Sequence, residues 1–260
     1  MPKPSPLVFI TGASSGLGQA LALRYYRAGW SLALVARRAD GLRQWAAAQD
    51  LTASRVAVYG ADVRDVTAIT AVGRACIAAQ GLPDVVIANA GISVGMDTAH
   101  AEDLEVMRAT LETNVLGTAA SFQPFVAAMC QRGSGTLVGT ASVAGIRGLP
   151  GHGAYCASKA AVINYCESLR GECRPFGVKV VTIAPGYIDT PLTRDNRYRM
   201  PFLLSADTYA NRAFRAISAG RRFQVIPWQM GVVASLMRLL PDALFDRLFA
   251  GRARKRRQHE

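Results

Sequence analysis

Short apolar runs alternate with helical stretches from one end of this chain to the other, and that alternation limits its architecture more than any other feature. Strand patterns fall at Leu7–Ile10, Ser31–Ala36, Arg55–Tyr59, Asp84–Ala88, Thr136–Ala141 and Val178–Ala184, with a seventh at Phe223–Ile226. Helical patterns lie between them at Gly16–Ala28, Gly41–Gln49, Asp65–Gln80, Glu102–Gln131 and Tyr155–Arg174, the last stopped by Pro175 and Gly177. Strands separated by helices cannot pair as hairpins, so the pattern predicts an α/β fold with a parallel sheet and helices on both faces. At 260 residues, half of them hydrophobic, one core suffices for a single domain spanning 1–260.

The first strand runs into Thr11-Gly12-Ala13-Ser14-Ser15-Gly16-Leu17-Gly18, and a helical stretch follows at once. Strand, glycine turn and helix form the setting in which backbone N–H groups at a helix start hold phosphate. Gly12 permits the tight turn, while Gly16 and Gly18 allow close backbone approach. The spacing is G-x-x-x-G-x-G rather than G-x-G-x-x-G, and such a loop alone is weak evidence. Right-handed crossovers then lead to a Rossmann-type, doubly wound sheet of order 3-2-1-4-5-6-7.

Tyr155 and Lys159 stand four residues apart on a predicted helix and so share one face. A phenol titrates near ~10, and a neighbouring ammonium lowers that value toward the range useful for acid–base chemistry. Asn89-Ala90-Gly91 and Ser142 follow strands, at the carboxyl ends where open α/β sheets bind ligands. Asn114 lies within a predicted helix. With TGASSGLG, ANAG, Asn114, Ser142, YCASK and Pro185-Gly186-Tyr187-Ile188-Asp189-Thr190 in that order, the chain resembles the short-chain dehydrogenase/reductase family, classical type, from Leu7 to about Thr190.

The resemblance implies hydride transfer between a nicotinamide and a carbonyl or secondary alcohol. Charge develops on the carbonyl oxygen, which needs a proton donor and a hydrogen-bond donor. Tyr155 is expected to give the proton, Ser142 to bind the same oxygen, and Lys159 to lower the Tyr155 pKa. By resemblance, Lys159 also binds the nicotinamide ribose and Asn114 holds a water that relays protons. The expected cofactor set is Gly12, Ser14, Ser15, Gly16, Leu17, Gly18, Arg37, Arg38, Asp62, Val63, Asn89, Ala90, Gly91, Tyr155, Lys159, Pro185, Gly186, Ile188 and Thr190. Strand two ends in Ala36-Arg37-Arg38 where an acid would hold a free 2′-hydroxyl. Two guanidiniums suit a 2′-phosphate, so NADP(H) is expected over NAD(H). Asp62 is expected to accept from the adenine amino group, beside the Val63 backbone.

The formal charge is +12, with Arg252, Arg254, Lys255, Arg256 and Arg257 in a terminal run. Such a run reads as a solvated tail or as an anchor for anionic lipid; nothing suggests nucleic acid. Residues 229–260 form a C-terminal helical extension, Gln229–Leu239 and Asp242–Ala250, with Pro241 between. Its apolar residues Val232, Val233, Leu236, Met237, Leu240, Leu244, Phe245, Leu248 and Phe249 make an amphipathic stripe. The stripe is expected to pack on the core or on a sister subunit, with a membrane surface as the alternative.

Five cysteines, Cys76, Cys130, Cys156, Cys166 and Cys173, show no CxxC pair and read as reduced thiols of a cytoplasmic protein. No metal set is expected. The terminus Met1–Pro6 is too short and proline-rich for a signal peptide, and no apolar run is long enough to span a membrane. Residues 187–204 should cover the pocket, mixing Arg194, Arg197 and Arg199 with Tyr198, Met200, Phe202, Leu203 and Leu204. Fatty-acyl, sphingoid-type and steroid-like ketones all suit it. A ketone reductase acting as a homodimer or homotetramer is the main reading. An alcohol dehydrogenase or epimerase working oxidatively and a non-catalytic nucleotide-binding scaffold are the alternatives.

Overall fold

The protein is described here from a computed structural model covering residues 5–194, 196, 199–251 and 254–258. Met1 to Pro4, Arg197, Tyr198 and Arg252 lie outside the described residues. The chain runs β1 (Leu7–Thr11), α1 (Gly16–Arg27), β2 (Ser31–Ala36), α2 (Ala39–Ala48), β3 (Val56–Gly60), α3 (Val66–Gln80), β4 (Val85–Ala88), α4 (Asp103–Leu111), α5 (Gly117–Arg132), β5 (Gly135–Thr140), α6 (Gly153–Cys173) and β6 (Val178–Pro185). Then come β7 (Ile188–Asp189), α7 (Pro191–Arg194), β8 (Leu204–Ser205), α8 (Ala206–Ser218), β9 (Phe223–Ile226), α9 (Trp228–Leu239) and α10 (Asp242–Phe249).

All seven strands of the main sheet are parallel, in the order β3-β2-β1-β4-β5-β6-β9. This is the expected doubly wound order. The last strand is ninth in the chain because β7 and β8 pair separately in a short parallel ladder. Alternate strand residues feed two cores. Phe9, Val35, Val86 and Leu137 pack with Phe122 and Phe125 of α5 and Val162 and Cys166 of α6. Val8, Leu34, Ile87 and Val181 face the other way, onto Leu21 of α1, Leu42 of α2 and Tyr209 of α8. A sheet covered on both faces requires strands apolar on both faces, which is why these runs read as continuous rather than alternating. Truncating Phe9, which is fully buried against Phe125, should cost about 3–5 kcal/mol.

Two stretches depart from expectation. The helix predicted over Glu102–Gln131 is broken by a wider, π-type turn at Glu112–Leu116, which separates α4 from α5 and carries Asn114. Such turns interrupt the i→i−4 ladder and accompany functional positions. Helix α8 was not expected. Its buried residues Tyr209, Ala210, Ala213, Ala216 and Ile217 recur at helical spacing, and the Ser205 hydroxyl caps it by accepting from the Thr208 N–H.

All five cysteines are free thiols; Cys76, Cys156, Cys166 and Cys173 are buried, whereas Cys130 is half-buried. Among the described residues no helix is long and apolar enough to cross a membrane, and no cluster of metal-ligating side chains occurs.

Candidate active site

The strand order reverses between β1 and β4, and a cleft of about 450 Å³ opens there at the carboxyl ends of the strands. The glycine loop forms one side. Gly12 sits at φ +65°, and a Cβ on it would lie 2.7 Å from Ala90 Cα. The loop is stitched to the end of β4: Asn89 Nδ2 donates to the Thr11 and Gly12 carbonyls at 3.2 and 3.3 Å. In return the Thr11 hydroxyl accepts from Asn89 N at 3.1 Å and Ala90 N at 3.3 Å. Ser15, the first flanking residue of α1, makes no side-chain cap, so the helix start presents backbone N–H groups to the cleft. A compact loop without side-chain bulk, at an uncapped helix N-terminus, fits a dinucleotide's pyrophosphate.

The cleft is lined by Gly12, Ser14, Ser15, Gly16, Leu17, Arg37, Asp62, Val63, Asn89, Ala90, Gly91, Ser142, Tyr155, Lys159, Pro185, Gly186, Ile188 and Thr190. Three expected residues do not line it. Gly18 lies buried under the loop, where a Cβ would collide with the Gly12 carbonyl. Arg38 precedes α2 on the exposed surface, so Arg37 alone brings a guanidinium to the cleft. Asn114 is wholly buried behind it. Asp62 arrives already paired: Arg64 grips its carboxylate through Nε at 3.0 Å and Nη2 at 2.7 Å. That grip, more than any other contact, holds the Asp62 carboxyl below its ordinary range.

Tyr155 and Lys159 share a face of α6, as their spacing requires. Lys159 is 4% exposed, and its ammonium donates to the Thr140 carbonyl at 2.7 Å. Burial pulls its pKa down to about 8. The ammonium lies 5.7 Å from the centre of the Tyr155 ring. The phenol is raised overall rather than lowered. Burial raises the Tyr155 pKa, and the hydrogen bond with Ser142 is what opposes that rise. Ser142 Oγ also accepts from Ala144 N at 3.2 Å, which turns it at the end of β5.

Asn114 works as a clamp. Its Oδ1 accepts from Ile92 N at 2.8 Å, while Nδ2 donates to the Ile92 carbonyl at 3.0 Å and to Ser158 Oγ at 2.9 Å. A Cβ on Gly91 would sit 3.2 Å from Asn114 Oδ1 and 3.4 Å from Lys159 Nζ, so the two flank that glycine. Sequence reasoning missed Thr140, Ile92 and Ser158, because none of these has a functional pattern of its own. Each matters through a contact with a residue far along the chain.

A second cavity of about 310 Å³ meets the cleft at Ser142, Tyr155, Gly186, Leu192 and Thr193. It is walled by Val143, Ala144, Leu149, Pro150, His152, Tyr187, Asn196 and Arg199, with Ser93, Phe249 and Lys255. Arg199 is thus at the pocket, as the covering segment predicted. Lys255 and its neighbours Arg254 and Arg257 overturn the reading of the basic run as a solvated tail. Arg257 donates to Asp103 at 2.7 Å and Glu102 at 3.1 Å, and Arg254 to Asp97 at 3.4 Å. Lys255 donates to Ser93 Oγ at 3.0 Å and the Leu192 carbonyl at 3.4 Å.

The extension that leads to this run is held by Arg147. Its guanidinium donates to the carbonyls of Met237 and Leu240 and to Asp242, 3.9 Å over the Phe245 ring. Of the predicted stripe only Phe245 is buried, joined by Met230 and Ala234 from outside it; Val232, Leu236, Leu244 and Leu248 are exposed, so the stripe does not pack as a whole on its own core.

Residues 6–200 match the short chain dehydrogenase family. An uncharacterized oxidoreductase of Myxococcus xanthus is 39% identical over 240 residues, covering 91% of this chain and 93% of that protein. A short-chain dehydrogenase of Burkholderia cenocepacia, solved with NADP, superposes with a TM-score of 0.81 at 25% identity, covering 95% of this chain and 98% of that one. One from Burkholderia phymatum, solved with NAD, shares the fold with a TM-score of 0.80 at 24% identity, covering 90% and 92%. With the parallel sheet, the glycine loop at its switch point and this match over three quarters of its length, the chain belongs to the short-chain dehydrogenase/reductase family of oxidoreductases.

Proposed function

We propose that the protein is an NADP(H)-dependent reductase of carbonyl groups on apolar substrates. The observation that carries this reading is the position of Tyr155 and Ser142 where the nucleotide cleft meets the second cavity, with Lys159 buried behind them. A nicotinamide bound in the cleft would supply the hydride. Ser142 donates to the substrate's carbonyl oxygen and fixes its place. Tyr155 then delivers its hydroxyl proton to that oxygen. A phenol raised by burial keeps its proton throughout neutral pH, which suits a donor in reduction. Lys159, cationic below about 8, stabilises the phenolate left behind and, by family resemblance, would bind the ribose hydroxyls. Asn114 fixes the loop after β4 against α6, so the proton-relay role rests on the family resemblance.

The choice of NADP(H) is supported by Arg37 in the cleft and by Ala36, which offers no carboxylate to a 2′-hydroxyl. Similar chains have been solved with NADP and with NAD, so Arg37 and Ala36 alone carry this choice. Asp62 and Val63 are assigned to the adenine end. Following NADPH absorbance against ketones, aldehydes and 3-oxoacyl esters tests the proposal. Oxidation of NADPH by an apolar ketone is expected; tight nucleotide binding without turnover on any of them would favour a scaffold instead. Faster reaction with alcohols and NADP than with ketones and NADPH would favour the oxidative alternative.

Assembly into a homodimer or homotetramer and peripheral contact with a membrane remain part of this proposal. The exposed apolar face of α9 and α10 supports such contact better than the tail does, since Arg254 and Arg257 already pair with carboxylates of the same chain.

A further inference from the structure

We infer that Lys255 is an anion anchor in the substrate cavity, so that the preferred substrate joins its carbonyl to a carboxylate, or a group of like charge, through an apolar body. The inference rests on the proposed role of Tyr155 and Ser142, which set the carbonyl at one end of the cavity. Val143, Leu149, Leu192 and Phe249 give the walls an apolar lining. Lys255 and Arg199 bring positive charge, and no acidic side chain lines the cavity among the described residues. An entering carboxylate therefore meets two cations and, among the described residues, no repelling charge.

The ammonium is held in place from both sides. Before it, Arg254 pairs with Asp97, and its side chain packs where a Cβ on Gly151 would stand. After it, the Arg256 carbonyl accepts from Gly95 N at 2.9 Å, and Arg257 bridges to Gly95 as a strand residue would. Arg257 then grips Asp103, which is fully buried and also accepts from Asp97 N at 2.7 Å. Gly95 itself is required, because a Cβ there would strike the Lys255 carbonyl. A solvated basic run has no need of a buried carboxylate, a backbone bridge and a glycine cut to fit it. Lys255 also acts on its surroundings, since its charge is among the causes that hold the His152 pKa below the ordinary value.

The test compares methyl-ketone fatty acids of increasing chain length with their methyl esters, in the wild type and in Lys255→Met, Lys255→Arg and Arg257→Gln. The wild type should favour the acids. Lys255→Met should lower the acid-to-ester ratio of kcat/KM by about tenfold to a hundredfold, as expected for losing a charged hydrogen bond. The change should appear in KM rather than kcat. Lys255→Arg should keep most of the ratio, and Arg257→Gln, which frees the latch, should lose part of it. Calorimetric binding of octanoate and its methyl ester gives a readout without turnover. A ratio that Lys255→Met leaves within about twofold of the wild type, or octanoate bound no better than its ester, overturns the anchor. Turnover of neutral ketones alone would leave the reductase standing and remove the anchor. Octanoate binding that depends on Lys255, with no ketone reduced, would do the reverse.

Discussion

On one side of Tyr155 the wall of the site is made of strand ends and a glycine loop; on the other it is made of the loop from Val143 to His152, of Tyr187, Leu192, Thr193, Asn196 and Arg199, and of Phe249 and Lys255 near the C-terminus. The nucleotide side is backbone resting on two apolar cores, with Thr11 and Asn89 exchanging hydrogen bonds beneath it. The substrate side has a much smaller buried base, Met230, Ala234 and Phe245, and depends on Arg147, Arg254 and Arg257 for its placement. A wall built from sheet ends can change only with the sheet. A wall held by side-chain latches can change without disturbing the core.

The sharpest break between the two sides is Tyr155→Phe. Losing the proton donor should lower kcat by about 10²–10⁴-fold, with NADPH affinity nearly unchanged. Steady-state rates and fluorescence titration of NADPH check both halves of this expectation. Turnover retained within about tenfold, roughly 1.4 kcal/mol in barrier, would reject Tyr155 as the acid.

On the nucleotide side, Arg37→Ala should weaken NADPH by about 1.5–3 kcal/mol, the worth of a hydrogen bond to a charged group, and NADH far less. Arg38→Ala, outside the cleft, should change little. Equal losses for both cofactors would remove the phosphate assignment.

On the substrate side, Arg147→Ala should cost about 1–3 kcal/mol of stability, since it strips the last carbonyls of α9 of their charged donor. The exposed pairing with Asp242 adds little to this. Substrate KM should rise while NADPH affinity holds. Denaturant melts together with KM values decide it, and a matching loss of NADPH affinity would show that the two sides are not separable.

The smallest effect expected is in pH. Tyr155, raised above its usual value, stays protonated across neutral pH, so reduction of a neutral ketone should be flat there. It should fall a fewfold above about 8, where Lys159 loses its charge. The latch responds at the other extreme. Asp103 is lowered, first by its hydrogen bond from Arg257, so its contribution is complete above the ordinary carboxylate range near ~4 and fades as pH falls below it. A rate profile without a shoulder near 8 that is also indifferent to Lys159→Met would show that the ammonium does not assist Tyr155.

Much of the nucleotide side was legible in the residues. Leu7–Ile10 followed by the glycine run, and Tyr155 four places from Lys159, carry their meaning within a few positions, because a strand, a turn and a helix face are local geometry. The π-type turn at Asn114 was not legible, since nothing between Glu102 and Gln131 marks a change of helical pitch. Helix α8 was legible and overlooked: Ser205 and the spacing from Tyr209 to Ile217 announce it. The charge run at the carboxyl end was misread because charge density tells nothing about where a carboxylate waits. Asp103 is one acid among many until folding buries it opposite Arg257.

By itself, then, the sequence determined the parallel sheet, its order, the loop at the switch point and the pair on α6. Each of these follows from hydrophobic period and backbone freedom over short distances. Only the tertiary structure decided that Arg37 and not Arg38 lines the cleft, that burial raises the Tyr155 phenol although the Lys159 ammonium lies 5.7 Å from its ring, and that Lys255 lines the second cavity. Those outcomes depend on distances between residues far apart in the chain and on how much water each group loses, and such quantities do not exist before the chain folds.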